Sequence, residues 1–101
     1  MIQVYELATT GGTTASGSWS ANTNRITGGI LGHMYIGFTT TSTTFDFKLI
    51  DGSNRNVIEL TTITGILNRE YQIPIRGIYT MQITNASADE AFKLRFAIRD
   101  V

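Results

Sequence analysis

Side-chain polarity alternates residue by residue over most of this chain, and a period of two is the signature of strands that bury one face. The last segment shows it best: Phe92, Leu94, Phe96 and Ile98 fall on one side, Lys93, Arg95, Ala97 and Arg99 on the other. Tyr79, Met81 and Ile83 alternate with Thr80, Gln82 and Thr84, and residues 85–90 supply a turn, so the two segments predict an antiparallel hairpin. Upstream, Phe45, Phe47 and Leu49 alternate with Asp46 and Lys48 before the turn Asp51-Gly52-Ser53-Asn54. The β-branched residues within 56–60 then complete a second expected hairpin. Met34, Ile36 and Phe38 oppose His33, Tyr35 and Gly37, while Tyr71, Ile73 and Ile75 flank Pro74. Proline has no amide hydrogen, so that strand belongs at an edge or at a bulge. Adding residues 2–7 and a strand within 19–26 predicts an all-β fold, an antiparallel β-sandwich or jelly roll of about seven to nine short strands. No stretch carries a helical period.

A chain of 101 residues is enough for one domain around one core. Charged residues are only 16%, below the roughly 25% usual for soluble domains, so much of the surface is neutral and polar, with Thr the main supplier. Two segments are biased. Residues 9–18, rich in Thr, Gly and Ser, hold no large apolar side chain before the end of the run and read as a mobile loop or arm. Residues 39–44, nearly all Thr, are compatible with an extended strand.

Eight basic and eight acidic residues give zero net charge. No broad field therefore exists to collect nucleic acid or an anionic membrane, and the repulsion that keeps copies apart is missing, which favours a homo-oligomer. The absence of cysteine excludes disulfides and thiolate chemistry, and a single histidine excludes multi-His zinc sites. No metal or cofactor is expected. The chain reads as soluble and made in a cytoplasm, without a basic-then-apolar leader or an apolar run of about 20 residues. Asn85-Ala86-Ser87 matches a glycosylation acceptor but is assigned to a turn.

Catalysis needs a nucleophile with its base, paired carboxylates or a metal cluster. His33 has many hydroxyls for company but no nucleophile motif around it, and reads as a strand histidine. Asp51, Ser53 and Asn54 lack the further acidic ligands that calcium requires and read as a turn. Asp89 and Glu90 are adjacent, so a strand would point them to opposite faces. Gly28, Gly29 and Gly32 precede a strand instead of opening a helix, which excludes a nucleotide fingerprint. The chain is therefore read as a non-enzyme. Its candidate binding residues are His33 and Tyr35, displayed opposite an apolar face, Arg95 and Arg99, suited to bidentate contacts, and Trp19. Trp19 is either a plug in the core or an exposed anchor.

The whole pattern resembles the small jelly-roll or β-sandwich virion proteins of bacteriophages, the capsid decoration or cement class. The resemblance lies in a cysteine-free chain beginning at Met1, in Thr/Gly-rich connections, and in the run Gly77-Ile78-Tyr79-Thr80-Met81-Gln82-Ile83-Thr84-Asn85-Ala86-Ser87 leading into Phe92. It implies a virion protein that binds the capsid surface as an oligomer, often a trimer, with a major capsid protein or another virion protein as partner. The alternative is a carbohydrate-binding module or lectin-like domain that stacks sugars on His33, Tyr35 and Trp19. The alternation itself is testable: Phe96→Ala should cost about 3–5 kcal/mol in equilibrium denaturation, and Arg95→Ala well under about 1 kcal/mol if its face is solvated.

Overall fold

The computed structural model of the protein describes the backbone of residues 4–99 and the side chains of residues 11–99. Residues 2 and 3 of the first expected strand lie outside the described residues. Alternating segments pair into eight strands, and no helix occurs among the described residues: β1 (Val4–Thr13), β2 (Trp19–Asn22), β3 (Ile26–Phe38), β4 (Thr44–Ile50), β5 (Asn56–Thr64), β6 (Ile66–Gly77), β7 (Thr80–Thr84) and β8 (Ala91–Arg99). They form two four-stranded sheets with orders β1-β8-β3-β6 and β2-β7-β4-β5, every pairing antiparallel. In this order β1 lies beside β8, β2 beside β7, β3 beside β6 and β4 beside β5. The chain is thus doubled back at the β4–β5 hairpin and the double ribbon is rolled into two layers, which is a jelly roll.

Burial follows the predicted parity. Met34, Ile36, Phe38, Phe92, Leu94, Phe96 and Ile98 line the inside of the first sheet, and Phe45, Phe47, Leu49, Met81 and Ile83 the inside of the second, all in one cluster. Burying a side chain of this size stabilises by about 1.5–3 kcal/mol. At one end the aromatic rings run in a chain, Trp19 edge-on to Phe92 at 4.9 Å, Phe92 to Phe38 at 5.4 Å, Phe38 to Phe45 at 4.8 Å. Pro74 sits on β6, an edge strand, as its missing donor requires.

Several expectations need correction. β7 and β8 do not form a hairpin: β7 pairs with β2 and β4, β8 with β1 and β3, so residues 85–90 cross from one sheet to the other. The apolar sides of the two strands are thereby brought face to face across the core instead of side by side. Residues 39–43 form a bend and turn, closed by the Thr43 amide on the Thr40 carbonyl, and only Thr44 enters a strand. Gly28, Gly29 and Gly32 lie within β3, where its register shifts. As for the Thr/Gly/Ser-rich segment, residues 9–13 pair with β8, and Thr14 is fully buried, its hydroxyl donating to the Ala88 carbonyl. Backbone pairing holds what side-chain burial does not.

Gly65 joins β5 in one sheet to β6 in the other at φ +67°, and a Cβ there would stand 2.2 Å from the Thr41 carbonyl oxygen. Close by, the β4–β5 register shifts between Phe45 and Phe47, so that Thr61 and Thr62 oppose the single Asp46. Thr62 has φ 54°, a costly conformation for a β-branched residue, and Asn85 shares it. The Asp46 carboxylate binds both: Oδ1 accepts the Thr62 amide at 2.8 Å and Oδ2 accepts the Asn85 side-chain amide at 2.8 Å. These two donors, the Thr62 amide foremost, hold the Asp46 carboxyl below its ordinary value of 3.8.

A carboxyl depressed in the folded state contributes stability above its unfolded value, and that contribution is lost as the pH falls through the folded value. In urea titrations Asp46→Ala should lower stability by about 1–2 kcal/mol at neutral pH. Asp46→Asn should lack the part of the parent's acid destabilisation that sets in below 3.8. Thr62→Asn should raise stability by up to about 1 kcal/mol, since asparagine tolerates the left-handed conformation.

Candidate functional site

The outer face of the β1-β8-β3-β6 sheet gathers four of the five candidate residues. Alternation turns Lys93, Arg95, Ala97 and Arg99 of β8 outward, opposite buried Phe92, Leu94, Phe96 and Ile98. On β3, buried Met34 and Ile36 leave His33 and Tyr35 on the same outer face. Antiparallel register then sets cross-strand rows: Arg95, Tyr35 and Asn68 in one, Ala97, His33 and Glu70 in the next, Lys93, Gly37 and Ile66 on the other side. Successive rows lie about 6.8 Å apart, two residues of strand rise.

Tyr35 lies along its own strand over Gly37, where an added Cβ would meet the tyrosine hydroxyl at 2.3 Å. The Arg95 guanidinium carbon stands 5.7 Å from the Tyr35 ring centroid, a cation–π contact across the strands. Tyr35 and Arg95 together form a ridge. On one side of it lies an open hollow of about 480 Å³ bordered by Gly11, Gly37, Lys93 and Thr39. On the other lies an open depression of about 490 Å³ lined by Gly32, His33, Glu70, Tyr71, Gln72, Ala97 and Arg99.

The depression has a structural cause. β3 shifts register at Gly32 against both neighbours, and β6 spends two residues, Tyr71 and Gln72, where β3 spends one. A bulge of this kind bends the sheet and re-aims side chains. Small residues, Gly32 and Ala97, occupy its floor while longer polar chains stand around it. His33 Nε2 bonds the Asn68 side-chain oxygen, which fixes the ring beside β6. Tyr71 packs partly against the core, and its hydroxyl is buried without a hydrogen-bond partner among the described residues. Desolvation raises its pKa above the ordinary value of 10.0, an effect that Arg69 partly offsets, so the hydroxyl keeps its proton at neutral pH.

Trp19 is placed elsewhere. It belongs to β2 in the other sheet, is half-buried, and packs on the core through Phe92. Sequence reading overlooked Asn68, Glu70 and Gln72, although their polar alternation around inward Leu67 and Ile75 was visible; the bulge at Tyr71 interrupts the parity that would have joined them. The loop carboxylates are engaged locally: Asp51 Oδ1 accepts the Ser53 and Arg55 amides, Asp89 the Gly17 amide, and Glu90 the Thr43 hydroxyl. Among the described residues no three His, Asp or Glu side chains gather to hold a metal ion.

No family model and no curated protein matches the chain. Among solved structures it is similar to infectious bursal disease virus of the Gt strain (12% identity, TM-score 0.45, 97% of this chain and 31% of the other). It is similar also to the Gx strain (12%, 0.46, 98% and 31%) and to the VP2 subviral particle of that virus (17%, 0.39, 97% and 32%). The chain spans about a third of the length of each of these.

Gly37→Ala tests the ridge without removing either of its members. The new methyl should lift the Tyr35 ring away from the strand and break its contact with Arg95, seen as shifted Tyr35 ring resonances in NMR spectra. Thermal stability should drop only slightly, because the far end of one side chain gives way. Unchanged Tyr35 resonances would contradict this geometry.

Proposed function

We propose that the chain is a non-enzymatic structural protein of a virion, fixed as an oligomer to the outside of a protein shell in the manner of decoration or cement proteins. A trimer is the favoured oligomer, and the partner is a major capsid protein or another virion protein, as in a phage head. The observation that carries the reading is the eight-strand wrap itself, with its two orders β1-β8-β3-β6 and β2-β7-β4-β5. Jelly rolls of this kind serve viral capsid domains, lectins and cupins, so the wrap is a fold-level analogy and the surface must choose among them.

The two outer faces differ in chemistry. The outside of β2-β7-β4-β5 presents Ser20, Asn22, Thr80, Gln82 and Thr84 around the Lys48–Glu59 ion pair at 3.6 Å, and the Thr80 hydroxyl donates to Asn22 at 3.0 Å. Such a face is rich in hydrogen-bonding groups, and its carboxylate Asp46 is held by the Thr62 and Asn85 amides, so it packs against a protein shell with its charges already partnered. Many weak contacts of this sort on a symmetric lattice add up through effective concentration. A neutral chain also lacks the repulsion that opposes self-association.

Native mass spectrometry at micromolar concentration should give a multiple of 11.1 kDa. The chain should also sediment with shells from its own source. Gln82→Arg, which puts a further, bulky charge in the middle of this face, should abolish co-sedimentation while the fold persists. A stable monomer would remove the oligomer, and shells that pellet without the chain would remove the attachment.

A further inference from the structure

We infer that the depression bounded by His33, Glu70, Gln72 and Arg99 is a binding site for a neutral hexose unit of a glycan. The inference stands apart from the shell-binding role and concerns the opposite face of the sandwich. Its first support is shape: an open concavity of about 490 Å³, within the roughly 300–1,000 Å³ range of ligand sites, at a bulge that bends the sheet.

Its second support is the donor and acceptor inventory. Arg99 supplies only donors, Glu70 only acceptors and Gln72 both, and the His33 ring adds a polar edge held in place by Asn68. An anion would be attracted by Arg99 and repelled by Glu70, and a cation the reverse. A ring bearing adjacent hydroxyls, each both donor and acceptor, uses the two together. The Ala97 methyl on the floor offers the apolar contact that the C–H face of a sugar ring takes, and the Tyr35–Arg95 ridge walls the site along the strand. The Tyr71 side chain belongs to the same lining and joins it to the core.

The test is NMR titration of the isotope-labelled full chain with trisaccharides of glucose, galactose and N-acetylglucosamine, with galacturonate and inorganic phosphate as anion probes. One of the neutral sugars should shift the amides of Gly32, His33, Gln72 and Ala97 in a saturable way at millimolar concentration. Arg99→Ala and the near-isosteric Glu70→Gln should each weaken binding about tenfold, the loss expected when a charged hydrogen-bonding partner goes. Lys93→Ala, beyond the ridge, should leave it unchanged. Binding of the anions alone would overturn the inference, as would silence with every sugar. Shifts at these amides that follow protein concentration without any ligand would also overturn it, and would give the depression to a second copy of the chain.

Discussion

The structure depends on burying one face of each sheet against the other, a constraint that acts on every strand through parity. Because side chains alternate with a period of two, a slip of one residue in any pairing would move Phe92, Leu94, Phe96 and Ile98 into solvent together and bring Lys93, Arg95 and Arg99 inside. Register is therefore fixed by the core, and the outer faces inherit their order from it. The row of Arg95, Tyr35 and Asn68 exists because Met34, Ile36 and Leu67 have to point inward.

Where parity is unbroken, the sequence was readable to the residue. The β4–β5 hairpin, the inward set of β8, the outward placing of His33 and Tyr35 and the edge position of the strand with Pro74 all follow from alternation and from one missing amide hydrogen. What alternation cannot carry is the choice of neighbour. Residues 79–84 and 92–99 are close in sequence and complementary in pattern, but the seven intervening residues span the gap between sheets as readily as they close a hairpin. Pairing β8 with β1 and β3 is a decision of the whole chain, involving strands more than 50 residues away.

Parity also fails locally, and those places matter most. Gly32 in β3, the pair Tyr71 and Gln72 in β6, and Thr61 with Thr62 in β5 each insert residues that the partner strand does not match. Read as simple alternation they conceal that Glu70 falls beside His33. Their cost differs. Gly32 bulges without penalty from a side chain, whereas Thr62 takes up a left-handed conformation held by Asp46. The first irregularity opens a surface concavity and the second secures the end of a sheet.

A rolled sandwich of this kind separates its two outer surfaces by a full core, since each strand contributes to only one of them. Residues facing outward on β2, β7, β4 and β5 can change without touching those on β8, β3 and β6, because the inner faces alone are coupled by packing. The chain uses that independence. One surface holds the Lys48–Glu59 ion pair amid hydroxyls and amides; the other collects Lys93, Arg95, Arg99, His33 and Glu70 about a bend in the sheet. A surface of hydroxyls, amides and partnered charges suits packing against another protein, which asks for area without an unpartnered charge. A bent, polar and partly aromatic one suits recognition of a small hydroxyl-bearing ring, which asks for directed donors and acceptors. Placing the two on opposite sides of one core lets each surface of the sandwich take its own chemistry while both rest on the same packing.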